Sequence, residues 1–173
     1  ARDFEIFGLQ AEQGDYATSY IPTNGATNTR LQDIANNSGN SSLINSTEGV
    51  LYAECKPSEG SAISVSKNNG NRCVFYRDPG VFAALFSNSG TNYTSITTPY
   101  FSGYIKFAIK WDINTMTFFV NGSNIGSSTI TTTPNNFDGV RFTSGSTGSP
   151  FYGKTKALAV YKEALTDANL RCL

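Results

Sequence analysis

Six side chains of this 173-residue chain could hold a polar ligand without forming a covalent bond. Aromatic rings stack on the apolar faces of sugar rings, and arginine and aspartate hydrogen-bond to hydroxyl groups. Two of the six lie in the stretch 87–102, which is rich in Ser, Thr and Asn and which we expect to be an exposed loop. The other four lie on or beside one predicted strand, where they could line a sheet face or its rim. The candidates are Tyr93, Tyr100, Arg72, Tyr76, Arg77 and Asp78. For each of them taken singly, we expect a solvated surface residue, and ligand binding is the alternative.

The charge composition excludes several classes of protein. The chain has 13 basic and 13 acidic residues and no histidine. Without histidine there can be no Ser-His-Asp triad, no Cys-His dyad and no His-ligated metal. The balanced, sparse charge lacks the positive field that nucleic-acid binding requires, and no apolar run approaches the roughly 20 residues of a membrane span. We therefore expect a binding or structural domain, not an enzyme, with no nucleic-acid partner and no membrane insertion.

Neither the cysteines nor the acidic residues have the spacing of a strong metal site. No Cys-x-x-Cys pair occurs, and Cys55 and Cys73 each border an apolar run, which favours buried, unbonded thiols over a Cys55–Cys73 disulfide. An odd third thiol, Cys172, fits a reducing compartment better. Calcium could be held by oxygen atoms at Asp112-Ile113-Asn114 or at Asp78. Because Asp-x-Asn in a hairpin usually makes a turn, we expect no cofactor, with calcium as the alternative.

The elements that would position these residues are predicted by alternating apolar and polar residues. In Tyr104–Trp111 every second residue from Ile105 is apolar, which predicts a strand with one buried face. Turn residues at 112–114 and at Asn121-Gly122 flank a return strand, so the stretch 104–126 is predicted to be a three-stranded meander. Trp111 shares the apolar face, and we expect it in the core, although a sugar-stacking platform is the alternative.

The remaining pattern predicts more short strands and a single short helix. Thr166 can cap a helix over Asp167–Leu173, with Leu165 and Leu170 as a hydrophobic staple. Many short strands separated by turn residues indicate an all-β, antiparallel two-sheet sandwich with a short C-terminal helix. Further strands are predicted at Glu48–Cys55, Ala62–Lys67, Arg72–Arg77, Val81–Ser87, Gly139–Thr143 and Gly153–Tyr161.

Three motifs give the chain a resemblance to a known family. They are the run 48–54 (EGVLYAE), the meander 105–112 (IKFAIKWD) followed by Asn121-Gly122, and the closing runs 151–153, 158–161 and 164–170. Their order resembles concanavalin A-like lectin/glucanase domains in their laminin-G-like, jelly-roll form, over roughly residues 47–173. The resemblance implies a concanavalin A-like β-sandwich, which we place at residues 24–173.

A second resemblance lies upstream of this domain. The runs 7–12 (FGLQAE) and 16–23 (YATSYIPT) resemble a junction found in bacteriophage tail and virion proteins, where a strand ending one β-sandwich leads into a concanavalin-like domain. Residues 1–23, with a strand predicted at Phe4–Leu9, would then be a terminal strand and linker from a preceding module, or else a strand that closes the edge of the sandwich. We expect the chain to be a fragment of a longer polypeptide. The resemblance implies a phage particle protein, assembled in a bacterial cytoplasm and directed toward a bacterial surface.

The same family contains glycoside hydrolases, whose retaining members carry a Glu-x-Asp-x-x-Glu strand that places two carboxylates about 5 Å apart. No such run occurs here. Glu48 and Glu54 share one predicted strand and face, but six positions separate them by about 20 Å. We therefore expect a non-catalytic domain of a phage virion or tail that binds host cell-surface glycan.

Two alternatives and several partners follow from that expectation. One alternative is a purely architectural virion domain, a decoration or fibre spacer that binds no sugar. The other is a carbohydrate-binding module of a secreted bacterial polysaccharidase, which would place the chain outside the cell or at its surface. The partners expected in the virion are host polysaccharide, other virion proteins and further copies of this chain, for example as a trimer in a fibre.

Overall fold

The computed structural model describes residues 3, 5, 8–11, 20–29, 40–90, 92–131 and 136–173, without the side chains of residues 92 and 93. The chain divides into two compact units, residues 1–34 and residues 35–173. In the first unit a hydrogen bond from Ala26 N to Thr23 O (3.0 Å) closes a turn. Most of the strand expected at Phe4–Leu9 and the run 16–19 lie outside the described residues. The expected boundary after residue 23 stays a prediction.

The second unit is an all-β sandwich, as the alternation predicts. Its described residues form two antiparallel five-stranded sheets and one short helix. The first sheet has the order β10-β1-β6-β7-β8, and the second sheet has the order β5-β4-β3-β2-β9. The elements are β1 (Gly49–Pro57), β2 (Ser61–Ser66), β3 (Arg72–Asp78), β4 (Val81–Asn88), β5 (Asn92–Pro99), β6 (Ile105–Trp111), β7 (Thr115–Val120), β8 (Ser123–Thr129), β9 (Gly139–Arg141), β10 (Gly153–Tyr161) and α1 (Asp167–Arg171).

The main hydrophobic core lies between the two sheets. It contains the inward residues of β6, namely Ile105, Phe107, Ile109 and Trp111, as their spacing predicts. Trp111 is 0% exposed, so the prediction that it belongs to the core is confirmed and it offers no stacking platform. A smaller cluster lies on the opposite side of the first sheet, where Val50, Ala108 and Phe119 are covered by Leu170 of α1.

The predicted capping of α1 is confirmed in its geometry. Thr166 is the N-cap, with an extended backbone, and its Oγ1 accepts a hydrogen bond from Asn169 N at 3.3 Å. Leu165, immediately before the cap, packs against the same small cluster that holds Leu170. This hydrophobic contact fixes the direction in which the chain enters the helix. The helix ends at Arg171, two residues earlier than predicted.

The predicted meander is confirmed over β6, β7 and β8. Asp112 Oδ1 accepts hydrogen bonds from Asn114 N (2.9 Å) and Thr115 N (2.8 Å), so this carboxylate closes the first turn. In the second turn Asn121 and Gly122 have φ of 48° and 74°, the left-handed pair that a two-residue hairpin requires. A Cβ at Gly122 would also lie 2.8 Å from Arg171 O, so only glycine fits there.

The prediction that 87–102 forms a loop is wrong. Asn92–Pro99 is β5, an edge strand paired with β4 from Val81↔Pro99 to Asn88↔Asn92. Among the described side chains of β5, Ile96 packs against the main core. Its neighbours are mostly threonine and serine, so the sequence shows no apolar alternation. Thr97 and Thr98 are β-branched and suit an extended backbone. A count of polar residues does not distinguish such threonines from loop residues.

The buried positions expected for two cysteines are confirmed. Cys55 and Cys73 are unbonded and lie in the main core, whereas Cys172 is exposed. Burial raises the pKa of the Cys55 thiol to about 12 and raises that of Cys73 as well. Both side chains therefore act as small apolar groups at neutral pH. Within the described part of the chain, no helix has the length and apolar character needed to cross a membrane.

Candidate ligand-binding face of the second sheet

The strand alternation of the second sheet separates two sets of side chains. On β3, Cys73 and Phe75 point into the core, so Arg72, Val74 and Tyr76 point away from it. The register pairs Arg72 with Ser66 and Ser87, and it pairs Tyr76 with Ala62 and Ala83. We call this side of the second sheet the outer face. Its register positions are Ala62, Ser64, Ser66, Arg72, Val74, Tyr76, Asp78, Val81, Ala83, Leu85, Ser87, Tyr93, Ser95, Thr97, Pro99, Gly139 and Arg141.

Arg72 and Tyr76 are in contact on the outer face. The Arg72 guanidinium carbon lies 5.8 Å from the centre of the Tyr76 ring, within reach of a cation–π interaction. Val74 stands between them on the same face and is 0% exposed, which fits two long side chains meeting above it. Arg72 Nη1 also donates to Ser144 O at 2.6 Å, and this bond holds the 142–151 connection against the end of β3. The pair thus forms a half-buried cation beside a half-buried ring.

Arg141 is a second arginine on the outer face, and the sequence analysis did not single it out. It lies on β9, opposite Ser64 of β2. Its Nη1 donates to Ser66 O and lies 3.2 Å from Ser66 Oγ, and its Nη2 pairs with Asp138 Oδ1 at 2.7 Å. Ser66 Oγ in turn lies 3.2 Å from Ser64 Oγ. Strand alternation predicts that Arg141 and Val140 point to opposite faces of the sheet. The hydrogen bond from Arg141 to Ser66, however, depends on the pairing of strands 75 residues apart, which no local pattern predicts.

Two of the predicted candidates lie elsewhere. Arg77 follows Phe75 on the inward side of β3 and is 7% exposed. Its guanidinium carbon stacks 3.6 Å from the Tyr100 ring centre, and its Nη2 lies 3.5 Å from Glu59 Oε2. Tyr100 also contacts Phe82, with ring centres 5.3 Å apart. Arg77 and Tyr100 therefore belong to one end of the sandwich, and Arg77 does not share the outer face with Arg72 because successive side chains alternate.

The last two candidates do not contribute a described contact to the outer face. Tyr93 is in β5, where its backbone pairs with Ser87, but its side chain lies outside the described residues. Asp78 is an exposed residue at the far end of β3, six positions from Arg72 and so about 20 Å away along the strand. The structure therefore places Arg72, Tyr76 and the unpredicted Arg141 on one face of the second sheet, with Arg72 and Tyr76 in contact.

Glu54 on β1 and Glu48, which immediately precedes β1, make separate contacts. Glu54 Oε1 is 2.9 Å from Lys156 Nζ, whereas Glu48 Oε2 accepts a hydrogen bond from Ala164 N at 3.3 Å. Lys156 lies on β10, whereas Ala164 lies in the connection between β10 and α1. Among the described residues, no group of three or more Cys, Asp or Glu side chains could hold a metal ion. What the outer face offers is a half-buried aromatic ring beside a half-buried guanidinium group, because Ser64, Ser66 and Ser87 are fully buried. A ring and a cation of this kind suit non-covalent binding.

Comparison with known proteins identifies the family. The model of the concanavalin A-like lectin/glucanases superfamily, in its laminin-G form, matches residues 46–171. The chain belongs to this superfamily, and its two five-stranded sheets have the expected jelly-roll architecture. A search of curated proteins gives no match.

Solved structures with a similar fold come from different kinds of protein. The CBM40 module of the Ruminococcus gnavus IT-sialidase, bound to α2,6 sialyllactose, has a TM-score of 0.62 and 17% identity, covering 82% of this chain and 94% of that chain. The heptameric SAP-like pentraxin of Limulus polyphemus has a TM-score of 0.58 and 15% identity, covering 79% of this chain and 72% of its own. The binding domain of botulinum neurotoxin DC, in complex with rat synaptotagmin II, has a TM-score of 0.55 and 12% identity, covering 73% and 35% respectively. At these identities the likeness is one of fold.

Proposed function

We propose that this chain is a non-catalytic, lectin-like domain that binds glycan on the outer face of the second sheet. The observation that carries the proposal is the contact between Arg72 and Tyr76, an aromatic ring and a cation side by side on a sheet face. A sugar ring can lie against tyrosine while its hydroxyls accept hydrogen bonds from arginine. Membership of the concanavalin A-like lectin/glucanase superfamily supports the sugar-binding part of the proposal, as does the likeness of fold to a module solved with sialyllactose.

The chemistry of the outer face fits weak and reversible binding. Arg72 and the Tyr76 ring are half-buried on a sheet face, where a ligand buries little area, whereas Ser64, Ser66 and Ser87 of the same face are fully buried. A shallow polar contact of this kind gives low affinity because ordering costs offset much of the contact energy. Several copies acting on one surface raise the effective concentration and restore strong attachment.

The biological setting we propose is a phage virion or tail, where the domain attaches the particle to host polysaccharide. The support is the resemblance of residues 16–23 to a junction found in such proteins. Assembly in a bacterial cytoplasm suits unbonded Cys55 and Cys73, since that compartment keeps thiols reduced. Other virion proteins and further copies of this chain would be its neighbours, and repetition would supply the avidity that a weak site needs.

A second candidate is a carbohydrate-binding module attached to a secreted enzyme. Its support is the likeness of fold to the R. gnavus sialidase module, which is itself part of an enzyme. The sequence of the parent polypeptide separates the two settings. Fibre or tail modules beside this domain would support the virion, and an adjoining catalytic domain would support the secreted module and overturn the virion setting.

The binding claim is tested with a glycan array at near-millimolar sensitivity, using the whole chain and three single variants. Tyr76→Ala removes the ring of the outer face, Tyr100→Ala removes the ring at the end of the sandwich, and Tyr104→Ala is the control because it removes an exposed ring elsewhere. We expect binding by the unaltered chain, loss only in Tyr76→Ala, and melting temperatures that show all variants to be folded. Silence of the unaltered chain across host surface polysaccharides would overturn the lectin proposal and favour a purely architectural domain.

A further inference from the structure

Arg72 differs from the other partly buried cations because no carboxylate among the described residues pairs with it. Within the described ranges, four basic residues are at least half-buried. Three of them pair with carboxylates, namely Arg77 with Glu59, Lys110 with Asp167 and Arg141 with Asp138. Among the described residues, no carboxylate pairs with Arg72. A partly buried charge without a counter-ion is costly, and a bound anion would supply the missing charge.

The hydrogen bonding of Arg72 also leaves part of its guanidinium group without an acceptor among the described residues. The described acceptor of its guanidinium is Ser144 O, a neutral carbonyl. Its Nε is buried and has no acceptor among the described residues. A guanidinium is a planar fork that matches the two oxygens of a carboxylate better than it matches a single carbonyl. The donor set is therefore incomplete, and a bound oxyanion would complete it.

The electrostatics of the outer face favour the same kind of ligand. The register positions of this face include two arginines and one acid, Asp78, which stands about 20 Å from Arg72 along β3. Asp138, beside β9, pairs with Arg141. The neighbours of Arg72 across the register are Ser66 and Ser87, which carry no charge. The field around Arg72 is thus positive.

We propose that the ligand of the outer face is an acidic saccharide whose carboxylate pairs with Arg72 while its sugar ring lies against Tyr76. This inference rests on the proposed lectin function and narrows it to sugars such as sialic or uronic acids. A neutral glycan would leave Arg72 without a counter-ion. Its ring could still use Tyr76, so a neutral sugar is expected to bind more weakly and not to be excluded.

The first test compares ligands that differ in an acidic group, by titration of the whole chain followed calorimetrically. The pairs are 3′-sialyllactose against lactose, and digalacturonate against α-1,4-galactobiose. In at least one pair we expect the acidic sugar to bind about tenfold more tightly, the effect of one charge-assisted hydrogen-bonded pair. The preference should shrink as salt is raised, because the ion pair is partly solvent-screened.

The second test removes the charge. Arg72→Gln should lower the affinity for the acidic sugar about tenfold and leave that for the neutral sugar almost unchanged. Arg171→Gln is the matched control, since it removes the same charge from an exposed position on α1, which packs on the first sheet. Arg72→Lys keeps the charge without the planar fork and should give an intermediate loss. It also serves if Arg72→Gln does not fold.

The outcomes separate this inference from the function on which it rests. Equal binding of acidic and neutral sugars, or a preference that survives Arg72→Gln, would overturn the acidic-ligand inference and leave the lectin function standing. Absence of binding to every sugar would overturn both. An acidic preference that Arg72→Gln abolishes and Arg171→Gln leaves intact supports both.

Discussion

Phe75 of β3 stacks face to face on Phe107 of β6, with ring centres 4.0 Å apart and planes within 5° of parallel. Each ring comes from a different sheet, so this contact joins the two halves of the sandwich. Phe75 also lies 5.8 Å from Phe82 and 6.5 Å from Phe118. The pair is therefore at the centre of an aromatic cluster that holds the second sheet, and with it the outer face, in position.

Replacing Phe75 with alanine should strongly destabilise the protein. The ring is fully buried, so its loss removes apolar contacts and leaves a cavity, at a cost of about 3–5 kcal/mol in the free energy of unfolding. Urea denaturation measures the change. Ile113→Ala is the control, because Ile113 is exposed in a turn and its loss should change the stability by less than about 0.5 kcal/mol. Equal effects of the two changes would contradict the central role of the aromatic stack.

The cap of α1 gives a second, smaller prediction. Thr166→Ala removes the side-chain acceptor of Asn169 N and should cost about 1 kcal/mol of stability. For a chain of this size that lowers the melting temperature by about 2–4 °C, which calorimetry can resolve. Thr166→Ser keeps a hydroxyl at the same position and should restore most of the loss. A serine variant as unstable as the alanine variant would show that the methyl group, and not the hydrogen bond, matters.

The buried thiols should make the protein less stable in alkali. Burial raises the pKa of Cys55 from 9.0 to about 12, so the unfolded chain loses this proton at a lower pH than the folded chain does. The contribution of the buried thiol to the free energy of unfolding is complete below pH 9. It is lost between pH 9 and about 12, by up to about 1.4 kcal/mol per pH unit for each such thiol. Urea midpoints measured from pH 8 to pH 10.5 test the slope. Cys55→Ala should make the slope shallower, and an unchanged slope would contradict this account.

The same burial predicts different rates of thiol modification. Cys172 is exposed and should react with a thiol reagent in the folded protein, whereas Cys55 and Cys73 should react only after unfolding. Mass spectrometry of the modified protein, with and without urea, identifies the residues. Rapid labelling of Cys73 in the folded state would show that the core opens at this strand.

Two ion pairs of the second sheet should differ in their contribution to stability. Asp138→Asn leaves the buried Arg141 without its carboxylate at 2.7 Å and should cost about 1–3 kcal/mol. Glu59→Gln affects a longer contact of 3.5 Å to a carboxylate that is 60% exposed, so the loss should stay below about 1 kcal/mol. Thermal unfolding at two salt concentrations compares the pairs. A larger effect of Glu59→Gln would contradict the ranking.

Much of the fold could be predicted from local sequence alone. The alternation in Ile105–Trp111 gave the inward face of β6, and turn residues at Asp112 and at Asn121-Gly122 gave the meander. Both signals are local, because side chains on a strand alternate by covalent geometry and tight turns require particular residues. The edge strand β5 was missed because its residues are mostly small and polar and show no apolar alternation. Its pairing with β4 could be seen only in the structure.

The sequence by itself determined the class of fold, the absence of histidine chemistry and the residue types available for binding. Only the tertiary structure decided which of these residues meet. It placed Arg77 beside Tyr100 and away from Arg72, and it brought Arg141 to Ser66. The physical reason is that the pairing of distant strands is set by how a whole sheet buries its apolar face, and no short stretch of sequence records it. The lack of a carboxylate at Arg72 among the described residues became visible in the same way, once its neighbours across the strands were known.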